Sequence, residues 1–193
     1  MFELLNAHFK KHISLSSEEE EICMTMFRQK KYRKHQYILQ EGEVCRYEIF
    51  ILKGCTRSYE IGPNGQEHTL QFGLEGWWIG DLYSFLSGEP SSLNIDCLEA
   101  TEVLQISKND HEELYRKVPK IERYFRILIQ NAYVAAMNRI SSNLSMPAIE
   151  RYREFIERYP DMEQRISNNQ IASYLGITPQ SLSRVRSQNQ KKK

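Results

Sequence analysis

The side chains best suited to chemistry in this chain are Thr178, Gln180, Ser181, Ser183, Arg184 and Arg186. They mix amide, hydroxyl and guanidinium groups, without the nucleophile and base that a hydrolytic site needs. Such groups read polyanions. A guanidinium pairs bidentately with guanine O6 and N7, and a carboxamide with adenine N6 and N7. Hydroxyls such as Thr178 and Ser181 suit phosphates, which position without specifying. From Gln164 to Lys193 there is no Asp or Glu, while Arg165, Arg184, Arg186 and Lys191 to Lys193 supply six cations. The whole chain carries only +1, so the preceding residues are net negative. The asymmetry marks the C-terminal segment as the part that meets polyanions.

Two short helices around one glycine must position these groups. Ser167 or Asn168 can cap the first, and Ile171, Tyr174 and Leu175 form its inner face. Gly176 suits the left-handed residue that ends a helix. Thr178 is a second cap, Pro179 sits at the first helical position, and Leu182 and Val185 turn inward. Helix, glycine turn and helix, with the second helix polar outward, is the form of a DNA-reading helix-turn-helix.

Other chemistry is poorly supported. Cys23, Cys45, Cys55 and Cys97 contain no Cys-x-x-Cys, and the five histidines do not cluster with them. No metal site is expected, and the thiols are read as reduced in a cytoplasmic protein. No phosphate-cradling glycine loop or Ser/His/Asp set appears, so the chain is not read as an enzyme. The rival is a cupin-like β-roll enzyme or small-ligand-binding protein with an incidental helical tail. It needs His and carboxylate ligands on facing strands, and His68 is the only histidine between Tyr37 and Ile106. No apolar run approaches ~20 residues and no secretory signal is visible, so no membrane association is expected.

Upstream, residues 1–28 read as helical, with Phe2, Leu5 and Phe9 on one face and a capping box at Ser17 and Glu20. Lys30 to Lys34 read as a solvated approach to the first strand. Short strands with glycine punctuation fill Tyr37 to Ile106, with a hairpin at Gly62-Pro63-Asn64-Gly65. Trp77 and Trp78 are expected to pack in a core. From Ile121 to about Leu144 no Gly or Pro interrupts a helix. Ile121, Tyr124 or Phe125, Leu128, Ala132, Ala135 or Ala136, and Arg139 or Ile140 trace a seam that suits a second copy of the helix. A hinge is expected at 142–147. The fold class is thus α+β: an N-terminal β-roll (jelly-roll) with short flanking helices over 1–118, a long dimerisation helix over 119–144, and a helix-turn-helix domain over 145–193.

Glu41-Gly42-Glu43, Ile51-Leu52-Lys53-Gly54, Gly65-Gln66-Glu67, Gly76-Trp77-Trp78-Ile79-Gly80-Asp81-Leu82 and Ile171-Ala172-Ser173-Tyr174-Leu175-Gly176-Ile177-Thr178, in this order, resemble the cyclic AMP receptor/fumarate-nitrate regulator (Crp/Fnr) family of bacterial transcription factors. The resemblance covers almost the whole chain. It implies a cyclic-nucleotide-binding-type β-roll, a homodimer, and two recognition helices in successive major grooves of a twofold operator on double-stranded DNA. RNA polymerase is a candidate partner. It also implies base-reading positions at Pro179, Gln180 and Arg184, of which the proline has no side-chain donor. No β-wing is expected after this helix, unlike many winged members. The effector pocket it implies is Gly80, Asp81, Leu82, Ser91, Ser92, Ala136 and Met137. Ser91 stands where nucleotide-binding members carry the phosphate arginine, and Ala136 and Met137 cannot read a base edge. Losing that contact costs roughly 1.5–3 kcal/mol. Cyclic AMP is therefore not expected as the ligand. No cofactor is expected either, and the effector is left open.

Overall fold

Two helices, α1 (Glu3–Lys10) and α2 (Ser17–Met26), precede the strands in the computed structural model, which describes residues 2–190. The strands are β1 (Arg28–Tyr32), β2 (Tyr37–Leu39), β3 (Tyr47–Lys53), β4 (Thr56–Ile61), β5 (Glu67–Gly73) and β6 (Trp78–Ile79). After α3 (Leu82–Ser87) come β7 (Asn94–Cys97) and β8 (Thr101–Ser107). The remainder is helical: α4 (Lys108–Lys117), α5 (Lys120–Ser145), α6 (Ala148–Arg158), α7 (Met162–Arg165), α8 (Asn168–Tyr174) and α9 (Pro179–Gln190).

The strands form two antiparallel sheets, ordered β1-β8-β3-β6 and β2-β7-β4-β5. In β3 the run Ile49-Phe50-Ile51 is buried throughout, because both faces of that sheet are covered. Ile49 and Ile51 join Leu39, Ile79, Ile95, Cys97 and Val103 between the sheets. Phe50, Leu104 and Ile106 point the other way, onto Leu5 and Phe9 of α1, Leu114 of α4, and Ile121, Tyr124 and Phe125 of α5. The second sheet turns Phe72 outward onto the C-terminal helices. The order is helices, sheet, sheet, helices, and each buried large apolar side chain contributes roughly 1.5–3 kcal/mol.

Several local expectations shift. The capping box lies one residue earlier: Ser16 Oγ accepts from Glu19 N, and Glu19 Oε2 accepts from Ser16 N at 2.7 Å. The basic run does not precede the first strand but forms much of it, paired to β8 along a sheet edge. Lysines suit that place because they discourage pairing with other chains. The Gly62–Gly65 hairpin closes by Gly62 N to Gln66 O at 2.8 Å, with Gly65 at φ +74°. Trp78 packs among Phe27, Phe50 and Phe125, and Trp77 against Tyr159. The expected hinge at 142–147 is shorter, because α5 runs on to Ser145.

The long helix has two different halves. Ile121, Tyr124 and Phe125 are buried on the β-roll, and Leu128 packs against the same cluster. The seam read from these residues is therefore filled by the chain's own core. From Ile129 the apolar face is unpartnered: Ile129, Tyr133, Met137, Ile140 and Leu144 are exposed, Tyr133 at 65% and Leu144 at 84%. They recur at spacings of four, four, three and four, which keeps them on one helical face.

Tyr124 ties three elements together. Its hydroxyl accepts from Trp78 Nε1 at 2.8 Å and meets His8 Nδ1 at 2.7 Å. Burial, reinforced by Lys11 and His12, lowers the His8 pKa from its ordinary 6.5 to about 4. The folded state thus favours the neutral ring, and on acidification the unfolded chain binds the proton first. This contribution to stability is complete above about pH 6.5 and falls away between there and about pH 4. Urea midpoints should drop less between pH 7 and 5 in His8→Gln than in the wild type. Equal slopes would assign the acid sensitivity elsewhere.

Candidate nucleic-acid interface

The C-terminal reading unit is built from local rules. Ser167 is the N-cap of α8, accepting from Gln170 N at 3.3 Å, while Gln170 Oε1 accepts from Ser167 N at 2.9 Å. Ile171, Ala172, Tyr174 and Leu175 are buried. Gly176 stands at φ +64°. Ile177 N donates to Ala172 O at 3.0 Å and Gly176 N to Ser173 O at 3.1 Å, the paired bonds of a Schellman turn. Thr178 Oγ1 then accepts from Ser181 N at 3.2 Å and caps α9. Leu182 and Val185 bury the inner face of α9.

Outward, α9 presents Gln180, Ser183, Arg184, Ser187 and Gln188, all exposed. Ser187 and Gln188 do not figure in the sequence reading. Their signal is the i+3, i+4 repeat continued from Gln180 through Ser183 and Arg184. Arg184 donates to Ser181 Oγ at 3.1 Å. Thr178 Oγ1 and Ser181 Oγ lie 3.0 Å apart, so these two hydroxyls serve the cap. Ser183 Oγ donates back to Pro179 O at 3.2 Å.

The charge of this segment is smaller than its composition implies. Arg186 is read as a DNA-facing cation, but the structure turns it inward. It pairs with Glu163 at 2.7 Å, donates to Asn168 Oδ1, and lies over the Tyr152 ring. The reason is its place on α9, one residue past Val185, where the helix packs on α6. Arg165 is bound by Glu75 at 3.0 Å and Glu99 at 2.9 Å, which raises its pKa. Among the described residues, Arg184 is the one arginine after residue 163 without a carboxylate partner. Lys191 to Lys193 lie outside the described residues.

The effector-pocket residues are brought together only in part. Asp81 is buried and caps α3, accepting from Ser84 N at 3.2 Å, and its Oδ2 accepts from Ser91 Oγ at 2.7 Å. Ser91 Oγ also accepts from Leu93 N at 2.9 Å. Ser91 N donates to Glu43 O, and Gly42 N to Ser91 O, both at 2.8 Å. The loop is closed by its own bonds. Ser92 donates to Glu60 at 3.2 Å, Leu82 is exposed, and Gly80 is half-buried. Ala136 and Met137 do not reach this loop's hydrogen bonds; both are exposed on α5, Met137 within the unpartnered apolar face. Arg57, a buried cation that the sequence does not single out, lies on the opposite side of the second sheet with Phe72. It pairs with Asp96 at 2.9 Å and Glu67 at 2.5 Å, so its charge is already neutralised.

The reading unit is docked on the β-roll. Ser173 Oγ accepts from Thr69 N at 2.8 Å and donates to Glu67 O at 2.7 Å. Arg139 donates to the carbonyls of Thr69, Leu70 and Tyr174. These bonds satisfy the free edge of β5.

A sensor-type β-roll joined by a long helix to a helix-turn-helix is the architecture of a ligand-responsive regulatory protein. Residues 29–118 match the cyclic nucleotide-binding domain family. The chain is 27% identical over 175 residues to the regulatory protein HlyX of Actinobacillus pleuropneumoniae, covering 85% of this chain and 72% of that one. It is 25% identical over 186 residues to the fumarate and nitrate reduction regulatory protein of Vibrio cholerae, covering 91% and 74%. The structure of FixK2 from Bradyrhizobium japonicum superposes with a TM-score of 0.73 at 23% identity, covering 86% of this chain and 85% of that one. The chain is thus similar along most of its length to regulatory proteins of the Crp/Fnr type, and its fold is theirs.

The turn itself can be tested. A Cβ at Gly176 would meet only Arg151 Nη1, at 3.6 Å, so the cost of Gly176→Ala is conformational. It should be about 1–2 kcal/mol, the strain of a left-handed alanine, lowering Tm by about 2–4 °C per kcal/mol. An unchanged Tm in calorimetry would mean that the turn is not held left-handed in solution.

Proposed function

We propose that this protein is a homodimeric, sequence-specific DNA-binding regulator that acts in the cytoplasm on a twofold operator. The observation that carries the reading is the outward face of α9, where Gln180, Ser183, Arg184, Ser187 and Gln188 form one polar row with one unpaired guanidinium. Arg184 pairs with guanine and Gln180 with adenine in the major groove. Thr178 and Ser181 approach phosphates from the turn, and Ser187 and Gln188 extend contact along the groove. Dimerisation uses the exposed face Ile129, Tyr133, Met137, Ile140 and Leu144, and places two α9 helices about one helical turn of DNA apart. The relatives named above are regulatory proteins, which supports a regulator and not an enzyme. RNA polymerase is a candidate partner of such a regulator. Cyclic AMP is not expected as the effector: Ser91, which stands where a phosphate-binding arginine would, is bonded to Asp81.

Binding assays on an operator selected from random DNA test the reading. Arg184→Ala should weaken binding by ~1–3 kcal/mol and relax preference at one base pair. Arg186→Ala should instead lower Tm and leave base preference intact, since its partners are Glu163 and Asn168. Unchanged affinity in the Arg184 variant would exclude it as a base reader.

Sedimentation tests the dimer. Ile140→Glu with Leu144→Glu should give a folded monomer, because both side chains are exposed. It should lose most affinity for the twofold site. A variant that stays dimeric would move the interface elsewhere.

A further inference from the structure

We propose that the cleft between α5, α6 and α8 binds a small anion, of the phosphate or carboxylate class, through Arg139, Arg151 and Arg158. The cleft has a volume of about 420 Å³, within the range of small-molecule sites. Three guanidiniums and one carboxylate, Glu154, line it, leaving +2. Asn138 and Ser142 add neutral hydrogen-bonding groups.

The three arginines share an unusual condition. Among the described residues, none of them pairs with a carboxylate. Arg139 is half-buried, yet its partners are three neutral carbonyls and the ring of Tyr174, 4.2 Å away. Arg151 donates to Leu175 O at 2.7 Å and Asn143 Oδ1 at 3.2 Å. The Nε atoms of Arg139 and Arg151 are buried without a partner. Arg158 lies over Trp77 and Tyr159 at 5.8 and 5.6 Å. Arg57, Arg165 and Arg186, by contrast, each meet a carboxylate. Collecting three cations at a concave site with a single counter-charge, Glu154, is costly, and an anion that enters reduces that cost. The strain is visible at Arg139, whose pKa is lowered by burial and by the neighbouring Arg158.

Position gives the site a consequence. At 100° per residue, Asn138, Arg139 and Ser142 lie on the side of α5 away from Ile140 and Leu144. A partner helix seated on that apolar face leaves the cleft open. Arg139 holds Tyr174 O and Arg151 holds Leu175 O, the residues just before Gly176. An anion bridging these guanidiniums stiffens the turn that aims α9, and so couples occupancy to the reading helix.

The inference concerns the free protein and does not depend on DNA recognition. Titration calorimetry and thermal shift on the full chain, without DNA, use sodium pyrophosphate and sodium citrate against sodium chloride at matched ionic strength. Pyrophosphate or citrate at millimolar concentration should raise Tm beyond chloride, and the stronger of the two assigns phosphate or carboxylate preference. Arg158→Gln and Arg151→Gln should each weaken binding about tenfold or more, while Lys117→Gln, on the surface of α4, should not. Arg158 is exposed, so its variant tests the site without threatening the fold. Polyvalent anions that do no more than chloride, or binding unchanged in both arginine variants, would overturn the proposal. So would a lowered salt slope for DNA binding in those variants with no anion bound, which would make the arginines contacts to the DNA backbone.

Discussion

Phe72 is fully buried on the outer face of the second sheet, and the placement of the reading helix depends on its cover. The rings of Tyr174, Phe155 and Tyr159 surround it at 5.2, 6.4 and 6.4 Å. Each of these rings belongs to, or directly follows, a C-terminal helix. A sheet with an apolar outer face must be covered, and here α6 and α8 supply the cover. The free edge of β5 adds a polar condition: its backbone groups need partners, and Ser173 and Arg139 provide them. The helix-turn-helix is thus fixed to the sensor by packing and by edge bonds, not tethered by chain alone.

Ion pairs follow the same logic. Arg165 joins α7 to Glu75 and Glu99 of the β-roll, and Arg186 joins α9 to Glu163. Both hold the reading unit in place. The C-terminal segment therefore offers fewer free cations to a polyanion than its composition suggests. An arginine's formal charge is readable from a sequence; whether it faces solvent or a carboxylate is not.

The sensor half keeps the frame of a cyclic nucleotide-binding domain while its binding loop is bonded to itself. Asp81 caps α3 and accepts from Ser91, so the carboxylate and the hydroxyl satisfy each other. The space between the sheets holds Ile49, Ile51, Ile95 and Val103 as an aliphatic core. The frame serves as a platform: one sheet seats α1, α4 and the start of α5, and the other seats the C-terminal helices.

Local chemistry made much of this legible. Capping, glycine at positive φ and proline at the first helical position act within a few residues, so α8, the Gly176 turn and α9 could be placed from the sequence alone. So could the Gly62–Gly65 hairpin and the long helix. β1 and β7 are harder, because β1 is lysine-rich with no apolar alternation and Asn94-Ile95-Asp96-Cys97 alternates over only four residues; their pairing partners decide them. The direction of the apolar seam on α5 also needed the fold. Ile121 and Ile140 look alike in sequence, yet one meets the chain's own β-roll and the other has no partner within the chain. Arg184 and Arg186 are two residues apart and chemically identical. Only the packing of α9 on α6, α7 and α8, which brings Tyr152, Glu163 and Asn168 to Arg186 and leaves Arg184 exposed, distinguishes the two.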